Sequence, residues 1–173
     1  MKLKTMLKRF FDIISSLFGL ILLFPLMLII SILIKVNSMG PVFYRQIRVG
    51  KNNKDFKIYK FRTMFVDSDK KGLITIGGRD PRVTKLGYFL RKFKLDELPQ
   101  LINVFTGEMS IVGPRPEVRA YVDLYSIEQF KVLEVKPGIT DLASIEYRNE
   151  NEILLSQDNP NKYYIDVIMP SKI

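Results

Sequence analysis

The feature that most constrains this chain is an uncharged apolar run of 22 residues, 13–34, near its start. As a continuous helix the run would be about 33 Å long, roughly the thickness of the hydrocarbon core of a bilayer. It is apolar all round, unlike the core helix of a soluble domain, and it is long for the apolar part of a cleaved signal peptide. The run therefore predicts a segment that enters a membrane.

Two membrane topologies are open for this segment. A straight helix would span the bilayer. However, Pro25 lies near the middle of the run, where it removes one backbone hydrogen bond. Basic residues flank both ends, and a span would place these flanks on opposite faces, whereas a helix that bends at Pro25 and returns keeps them together. Proline is also common in true transmembrane helices, so these residues alone leave both topologies open.

The composition limits the chemistry of the remaining chain, which has length for one modest domain. Lys and Arg number 27 against 18 Asp and Glu, and the net charge of +9 indicates an anionic partner: lipid headgroups, nucleic acid or a phosphorylated substrate. The sequence has neither cysteine nor histidine. This excludes disulfides and Ser-His or Cys-His catalysis and argues against a zinc site. Asp and Glu remain as the candidate nucleophiles and bases.

The pattern after the apolar run predicts an α+β domain that is mainly helical. Residues rich in β-branched and aromatic side chains at 42–47 and 56–61 flank a Gly-Lys-Asn-Asn stretch, which predicts a β-hairpin. Apolar residues recur at helical spacing over 86–93, 98–105 and 118–125, which predicts three amphipathic helices. The first of these helices is basic and could lie on an anionic membrane surface.

The helix ends carry signals of their own. Thr84 is placed to cap the first amphipathic helix, and Gly107 is placed to end the second. Weaker patterns predict a loop at 66–82, short strands or extended segments at 143–147 and 163–169, and a helical turn at 151–156.

The candidate chemistry is concentrated in two adjacent acids, Asp96 and Glu97, where the second amphipathic helix should begin. Pro99 fits a first helical turn, so Asp96 is expected at the N-cap or in that turn. By themselves, two such acids are more often a cap and a partner of the helix dipole. Arg91 precedes them and Arg115 stands between two prolines, and arginine grips phosphate oxygens at two points. In that company, an aspartate could attack phosphorus or hold Mg²⁺ against a diphosphate, with the glutamate as base.

A series of short motifs runs in one order along most of the chain. They are Lys-Arg-Phe-Phe-Asp at 8–12, the proline at 25, Gly-Pro-Val-Phe at 40–43, Tyr-Lys-Phe-Arg-Thr-Met at 59–64, Asp-Pro-Arg-Val-Thr-Lys-Leu-Gly at 80–87, Leu-Arg at 90–91, Leu-Asp-Glu-Leu-Pro-Gln-Leu at 95–101, Met-Ser-Ile-Val-Gly-Pro-Arg-Pro at 109–116, Lys-Pro-Gly-Ile-Thr at 136–140 and Arg-Asn at 148–149. In this order the motifs resemble the small monotopic phosphoglycosyl transferases of bacteria.

The resemblance implies an α+β fold in which a re-entrant membrane helix, 1–36, is broken at Pro25 and precedes a catalytic domain, 37–173. A small β-hairpin and interfacial amphipathic helices would surround an active site at the cytoplasmic face of the bacterial inner membrane. The implied reaction moves a sugar-1-phosphate from a UDP-sugar to undecaprenyl phosphate and releases UMP. It follows a ping-pong course through a phosphosugar-aspartate, with Mg²⁺ as cofactor.

The resemblance also implies roles for individual residues. They are Asp96 as nucleophile and Mg²⁺ ligand, Glu97 as the base that prepares the acceptor, Arg91 and Arg115 as phosphate-binding residues, and Lys8 and Arg9 as contacts to lipid headgroups or the lipid phosphate.

Three departures from the family pattern leave the donor sugar open. Lys94 replaces a small polar residue, Asp141 replaces a glycine, and Ser-Ile at 144–145 replaces Gln-Val. The chain also ends soon after Met-Pro at 169–170, where family members usually continue. The alternative function is a non-catalytic, membrane-tethered basic module that binds anionic lipid or nucleic acid, although nothing resembles a motif that reads nucleic acid. The sequence leaves a homodimer open.

Overall fold

A computed structural model describes residues 2–68, 80–147 and 149–173 of the protein. The loop predicted over 66–82 therefore falls largely outside the described residues, as does Arg148 of the Arg-Asn motif. The described chain is mainly helical and contains small two-stranded sheets, which confirms the predicted α+β class.

The helices and strands follow one another in short pieces after a long first helix. The α-helices are α1 (Lys2–Asn37), α2 (Lys85–Lys92), α3 (Gln100–Thr106), α4 (Arg119–Val122), α5 (Leu142–Glu146), α6 (Glu150–Leu155), α7 (Pro160–Tyr163) and α8 (Met169–Ser171), with a π-helical turn (Tyr164–Ile168) between the last two. The strands are β1 (Phe43–Val49), β2 (Asp55–Phe61), β3 (Ser110–Val112) and β4 (Gly138–Thr140), and 3₁₀ turns lie at Lys51–Asn53, Leu95–Glu97 and Gln129–Glu134.

α1 contains the predicted membrane segment and is long and apolar enough to cross a bilayer. It runs through Pro25 as one continuous helix rather than as two helices separated at the proline. A bend within this continuous helix, and the return of the chain to the same face of the membrane, stay predictions, as does the domain boundary at 36. Most of the large apolar side chains of α1 are exposed, as expected of a helix that faces lipid.

α1 contacts the rest of the chain at both of its ends. Toward its C-terminal end, Met27, Ile30 and Ile34 are buried in a cluster with Phe61 of β2 and Leu90 of α2. Near its N-terminal end, the first turns form hydrogen bonds with α3 and β3. The long helix therefore lies along the domain instead of leaving it at one end.

The predicted β-hairpin is confirmed, with bounds shifted by a few residues. β1 and β2 pair antiparallel, with Phe43 opposite Phe61 and Val49 opposite Asp55. Asn52 and Asn53 have left-handed backbone conformations in the connection, which asparagine tolerates better than most residues.

The first two predicted amphipathic helices are also confirmed, with the expected ends. The Thr84 side chain accepts a hydrogen bond of 2.9 Å from the Gly87 amide and caps α2. Gly107 ends α3 in a left-handed conformation, with φ of 95°. A Cβ at position 87 would lie 2.0 Å from the Thr63 carbonyl oxygen, so a glycine there allows α2 to pack directly against the segment after β2.

The C-terminal third differs from the prediction. The helix expected over 118–125 is limited to α4, whereas the helical turn expected over 151–156 is confirmed by α6. The strands expected over 143–147 and 163–169 are wrong because both segments are helical. Tyr164 and Ile168, four residues apart on one helical face, are buried together with Leu154 and Met169, and this packing outweighs the β-branched and aromatic content that suggested strands.

Candidate active site

Asp96 and Glu97 lie in the 3₁₀ turn Leu95–Glu97 between α2 and α3. Asp96 is therefore neither the N-cap of α3 nor in its first turn, the two positions that the sequence predicted, because Pro99 takes the N-cap position. Lys94 has a left-handed backbone, with φ of 57°, and reverses the chain just before the turn. The two acids are thus presented by a short, tightly bent segment between two helices.

Two leucines fix this segment to the membrane helix. Leu95 and Leu98 flank the acidic pair, and both pack against the buried cluster that contains Ile30 and Ile34 of α1. The acidic pair therefore lies directly beside the residues that join the domain to its membrane segment.

Glu97 is held by two cations. Its Oε1 atom accepts a hydrogen bond of 2.7 Å from Lys60 Nζ and one of 2.9 Å from Arg115 Nη2. Burial by itself raises the pKa of Glu97, but Lys60 and Arg115 outweigh it, so that this pKa lies well below its usual range. Glu97 therefore stays ionised and holds both cations in the cleft.

Asp96 has a different environment, although it is adjacent in sequence. It is 8% exposed, and among the described residues its Oδ1 atom is buried without a hydrogen-bond partner. Burial raises the pKa of Asp96, and the positive charges of Lys60 and Arg91 oppose that rise. A buried carboxylate oxygen without a partner is costly, and it is an oxygen that can bond to a cation or to a reacting phosphorus.

Arg91 reaches the same cleft from the last turn of α2. Its Nε donates a hydrogen bond of 2.8 Å to Thr63 Oγ1, which orients the guanidinium. Burial lowers the pKa of Arg91, and the negative charge of Asp96 opposes that change. Of the residues predicted for the site, Arg91 and Arg115 are thus brought together with Asp96 and Glu97.

Lys8 and Arg9 are placed elsewhere, against α3 and β3. Lys8 donates to the Val112 carbonyl oxygen at 2.9 Å, and Arg9 donates to the carbonyl oxygens of Val104 and Phe105 at 2.6 and 2.8 Å. Arg9 thereby satisfies carbonyl groups at the C-terminal end of α3, where a cation is favoured. Contact of these two residues with lipid headgroups or a lipid phosphate stays a prediction.

The sequence reasoning missed Lys60 and Thr63 as site residues. Both belong to the motif Tyr-Lys-Phe-Arg-Thr-Met at 59–64, which is one of the motifs of the family resemblance. The available signal was the alternation of the strand, because Lys60 falls on the same face as Phe56 and the buried Ile58. A partly buried lysine needs an anionic partner.

The acidic pair lies in a cleft of about 1000 Å³. Its charged lining includes Lys60, Arg91, Arg115 and the two acids. Gly19 and Leu23 of α1 also line it, so the cleft extends from the charged residues to the membrane helix. The lining also includes three tyrosines, Tyr121, Tyr147 and Tyr164.

The donor set fits a magnesium ion that is shared with a substrate. Within the described residues, no group of three or more Asp and Glu side chains could form a complete metal cage. Mg²⁺ in phosphate-handling sites is commonly held by one or two carboxylates together with phosphate oxygens. The unpartnered Oδ1 of Asp96 offers one such carboxylate oxygen.

Comparison with known proteins gives the class to which this fold and site belong. The model of the family "Bacterial sugar transferase" matches residues 3–169. The chain therefore belongs to the bacterial sugar transferase family, and the resemblance drawn from the ordered motifs is confirmed.

Several curated relatives are named as sugar-phosphate transferases. The chain is 42% identical over 167 residues to the UDP-glucose:undecaprenyl-phosphate glucose-1-phosphate transferase of Escherichia coli K12, covering 94% of this chain and 36% of that enzyme. It is 45% identical over 142 residues to the UDP-N-acetylgalactosamine-undecaprenyl-phosphate N-acetylgalactosaminephosphotransferase of Aeromonas hydrophila, covering 80% of this chain and 34% of that enzyme. A putative undecaprenyl-phosphate N-acetylgalactosaminyl 1-phosphate transferase of Bacillus subtilis is 45% identical over 122 residues, which cover 70% of this chain and 68% of that protein. The chain thus spans about a third of the length of the first two relatives.

Proposed function

We propose that this chain transfers a sugar-1-phosphate from a UDP-sugar to undecaprenyl phosphate and releases UMP, as the first membrane step in the synthesis of a bacterial glycoconjugate. The observation that carries the proposal is a carboxylate oxygen of Asp96 that has no hydrogen-bond partner in the described parts of the chain. It is buried beside Lys60, Arg91 and the Glu97–Arg115 pair, in a cleft that reaches the membrane helix. The names of the relatives support the same acceptor and the same class of donor.

The proposed reaction has two steps at one phosphorus atom. In the first, an oxygen of Asp96 attacks the phosphorus that carries the sugar, and the bond from that phosphorus to the bridging oxygen breaks, so that UMP leaves. In the second, an oxygen of undecaprenyl phosphate attacks the same phosphorus and Asp96 is released. The product is the sugar joined to undecaprenol through a diphosphate. Each displacement regenerates the group that the other consumes, which is the logic of covalent catalysis.

The cations of the cleft fit a reaction that moves negative charge between phosphates. Arg91 and Arg115 are proposed to bind the diphosphate, because a guanidinium matches two phosphate oxygens at once. Lys60 and Arg115 are both anchored on Glu97, which fixes their position before the substrate arrives. Such preorganised charges stabilise a transition state without reorganisation cost. A further role of Glu97 as the base that prepares the acceptor stays a prediction.

Mg²⁺ is proposed as the cofactor, held by Asp96 together with phosphate oxygens of the donor. When bound, it would neutralise charge on the diphosphate and so favour departure of UMP.

The lipid acceptor has an apolar route to the site. Gly19 and Leu23 of α1, together with Leu98 and Leu101 near the acidic pair, line the same cleft. A polyprenyl chain in the membrane could lie along these residues while its phosphate reaches the arginines. This continuity between the apolar helix and the charged cleft favours the transferase over a module that binds anionic lipid without catalysis.

The docking of α1 supports the re-entrant topology. Arg9 near one end and Ile34 near the other both contact the same domain, although about 37 Å of straight helix would separate them. A helix that crossed the bilayer would carry one of these ends to the opposite face, away from the domain. We therefore propose that both ends of α1 and the domain lie at the cytoplasmic face of the inner membrane.

The test of the function is UMP release from a panel of UDP-sugars, including UDP-glucose and UDP-N-acetylgalactosamine, in the presence of undecaprenyl phosphate and Mg²⁺. We expect at least one donor to give Mg²⁺-dependent UMP release, and we expect Asp96→Asn to abolish it. Labelled donor should also leave a phosphosugar on Asp96 when the acceptor is omitted. Equal behaviour of the wild type and Asp96→Asn across the panel would favour the non-catalytic binding module instead.

The test of the topology uses single cysteines, since the sequence has none of its own. Lys4→Cys and Lys162→Cys should react equally with an impermeant thiol reagent applied to one face of the membrane. Opposite accessibility would establish a span and contradict the proposal. Adding Pro25→Leu should shift Lys4→Cys toward the far face, because the replacement restores the backbone hydrogen bond that the proline removes.

A further inference from the structure

Asp12 is a buried acid in the membrane helix. Residues 2–37 contain no other Asp or Glu, and Asp12 is 3% exposed. Ionisable side chains in membrane segments are costly and are commonly tied to function through a specific partner. The proposed reaction gives Asp12 no part, so its partners need a separate explanation.

The partners of Asp12 lie in β3, about a hundred residues further along the chain. Its Oδ1 atom accepts a hydrogen bond of 3.0 Å from Ser110 Oγ and another of 3.0 Å from the Ile111 amide. Its other carboxylate oxygen lies 3.9 Å from Lys8 Nζ. Ser110 is 1% exposed, so these bonds are shielded from water and are correspondingly strong.

β3 leads directly to Arg115 through a connection with little freedom. A Cβ at Gly113 would lie 2.4 Å from the Lys136 carbonyl oxygen, so the chain is pressed against the segment before β4. The Gly138 amide donates a hydrogen bond of 2.9 Å to the carbonyl oxygen of Pro114, the residue between Gly113 and Arg115, and so fixes the position of Pro114. A displacement of β3 would therefore be passed on to Arg115 rather than absorbed.

We propose that Asp12 is a positioning residue that latches the first turns of α1 to β3 and thereby fixes Arg115 for the donor diphosphate. The latch connects the membrane segment to the arginine without a direct contact between them. Its effect on turnover rests on the function proposed above, whereas its effect on β3 does not.

The chemistry of the latch requires an acceptor oxygen more than a negative charge. The Ile111 amide points to Asp12 and would lose this acceptor if the side chain were removed, and a buried amide without a partner is unfavourable. An asparagine at position 12 keeps a carbonyl oxygen that can accept, whereas an alanine does not. The two replacements therefore separate the latch from a general effect of substituting α1.

The experiment compares Asp12→Asn and Asp12→Ala in the full chain, with Ser16→Ala as matched control. Ser16 is also fully buried on α1, but its hydroxyl donates to the backbone carbonyl oxygens of Asp12 and Ile13 within the same helix. Hydrogen–deuterium exchange of the peptide that contains Ile111 is the direct readout. We expect faster exchange of this peptide in Asp12→Ala and wild-type exchange in Asp12→Asn and Ser16→Ala.

The kinetic readout is the KM for the UDP-sugar. A displaced Arg115 should raise this KM about tenfold in Asp12→Ala, because loss of one charge-assisted contact costs about a factor of ten or more. A mere loss of folded protein would lower kcat at unchanged KM. Asp12→Asn should restore the wild-type KM to within about threefold.

Three results would overturn the proposal: wild-type exchange at Ile111 in Asp12→Ala, a donor KM in Asp12→Ala equal to that of Ser16→Ala, or an asparagine variant as impaired as the alanine variant. If Asp12→Ala does not accumulate, Ser110→Ala removes one of the two hydrogen bonds to Asp12, together with the hydrogen bond that Lys8 donates to Ser110 Oγ, and must still raise the KM by about threefold; an unchanged KM overturns the proposal. If the wild type releases no UMP from any donor, the proposed function fails, while the exchange measurement still decides whether the latch exists.

Discussion

The two adjacent acids of the cleft have opposite environments. On one side, Glu97 accepts hydrogen bonds from Lys60 and Arg115, and its pKa is held below the usual range. On the other side, Asp96 has a buried oxygen without a partner among the described residues, and burial raises its pKa. Neighbours in the chain thus share one cleft but differ in their hydrogen bonding and in the direction of their pKa shift.

This difference suggests a division of roles within the pair. A carboxylate whose charge already attracts two cations is a weak base and a weak nucleophile, because a proton or a phosphorus bonded to either oxygen would neutralise the charge that holds Lys60 and Arg115. A carboxylate oxygen without a hydrogen-bond partner gives up no hydrogen bond when it bonds to phosphorus. The structure therefore favours Asp96 as the reacting group and Glu97 as the residue that holds the cations in place.

Among the changes that distinguish Glu97 from Asp96, Glu97→Gln should have the largest effect on activity. This change removes the charge that anchors Lys60 and Arg115, and we expect kcat/KM to fall about 10²-fold, as is typical when catalytic charges are misplaced. Unlike Asp96→Asn, the variant should still form the phosphosugar adduct. Glu134→Gln, at an exposed position, is the control and should stay within about twofold of the wild type.

Measuring the two steps separately tests whether Glu97 is also a base. If Glu97 mainly positions cations, Glu97→Gln slows both UMP release and transfer to undecaprenyl phosphate. If Glu97 prepares the acceptor, the variant slows transfer and leaves the first step unchanged. A variant as inactive as Asp96→Asn in adduct formation would contradict the division of roles.

A smaller effect is expected in the pH dependence of the first step. Asp96 must be ionised to attack, so UMP release in a single turnover should decline as pH falls; burial moves this decline to higher pH because it raises the pKa of Asp96, and bound Mg²⁺ would move it to lower pH. Lys60 is the strongest of the charges that oppose this rise. Lys60→Met should therefore move the decline to still higher pH.

The matched control for this shift is Lys57→Met, an exposed lysine on the same strand. Lys57→Met should change the rate of UMP release only slightly and leave unchanged the pH at which that rate declines. A decline at the same pH in Lys60→Met and the wild type would show that Lys60 does not stabilise the ionised form of Asp96.

Local patterns in the sequence were sufficient for the parts of the fold that rest on local physics. The hairpin, the Thr84 cap and the Gly107 end follow from residue types at fixed offsets, and the structure confirms all three. In the C-terminal third the helical turn at 151–156 was predicted correctly. The segments at 143–147 and 163–169 were misread as strands because their short apolar stretches have no clear period, and packing around Tyr164 decides the second.

The candidate site was predictable in part for the same reason. Asp96, Glu97, Arg91 and Arg115 could be found because each lies in a motif with phosphate-compatible chemistry. The contact of Glu97 with Lys60 could not be found, since it joins positions 37 residues apart through a strand whose register no local pattern gives. The hydrogen bonds of Asp12 to β3 join positions still further apart in the sequence. The motif at 8–12 predicts a basic flank of a membrane segment and contains no pattern that predicts these bonds.

The smallest expected effect concerns the turn that separates α2 from the acidic pair. Lys94 is left-handed there, a conformation that costs most residues about 1 kcal/mol and asparagine less. Lys94→Asn should therefore stabilise the protein by about 0.5 kcal/mol, measured as a rise in the thermal unfolding midpoint. Lys92→Asn, two residues earlier in helical conformation, should destabilise it by a similar amount, because asparagine is the poorer helix former. If both changes had the same sign, the turn that presents Asp96 and Glu97 would not be set by the left-handed residue before it.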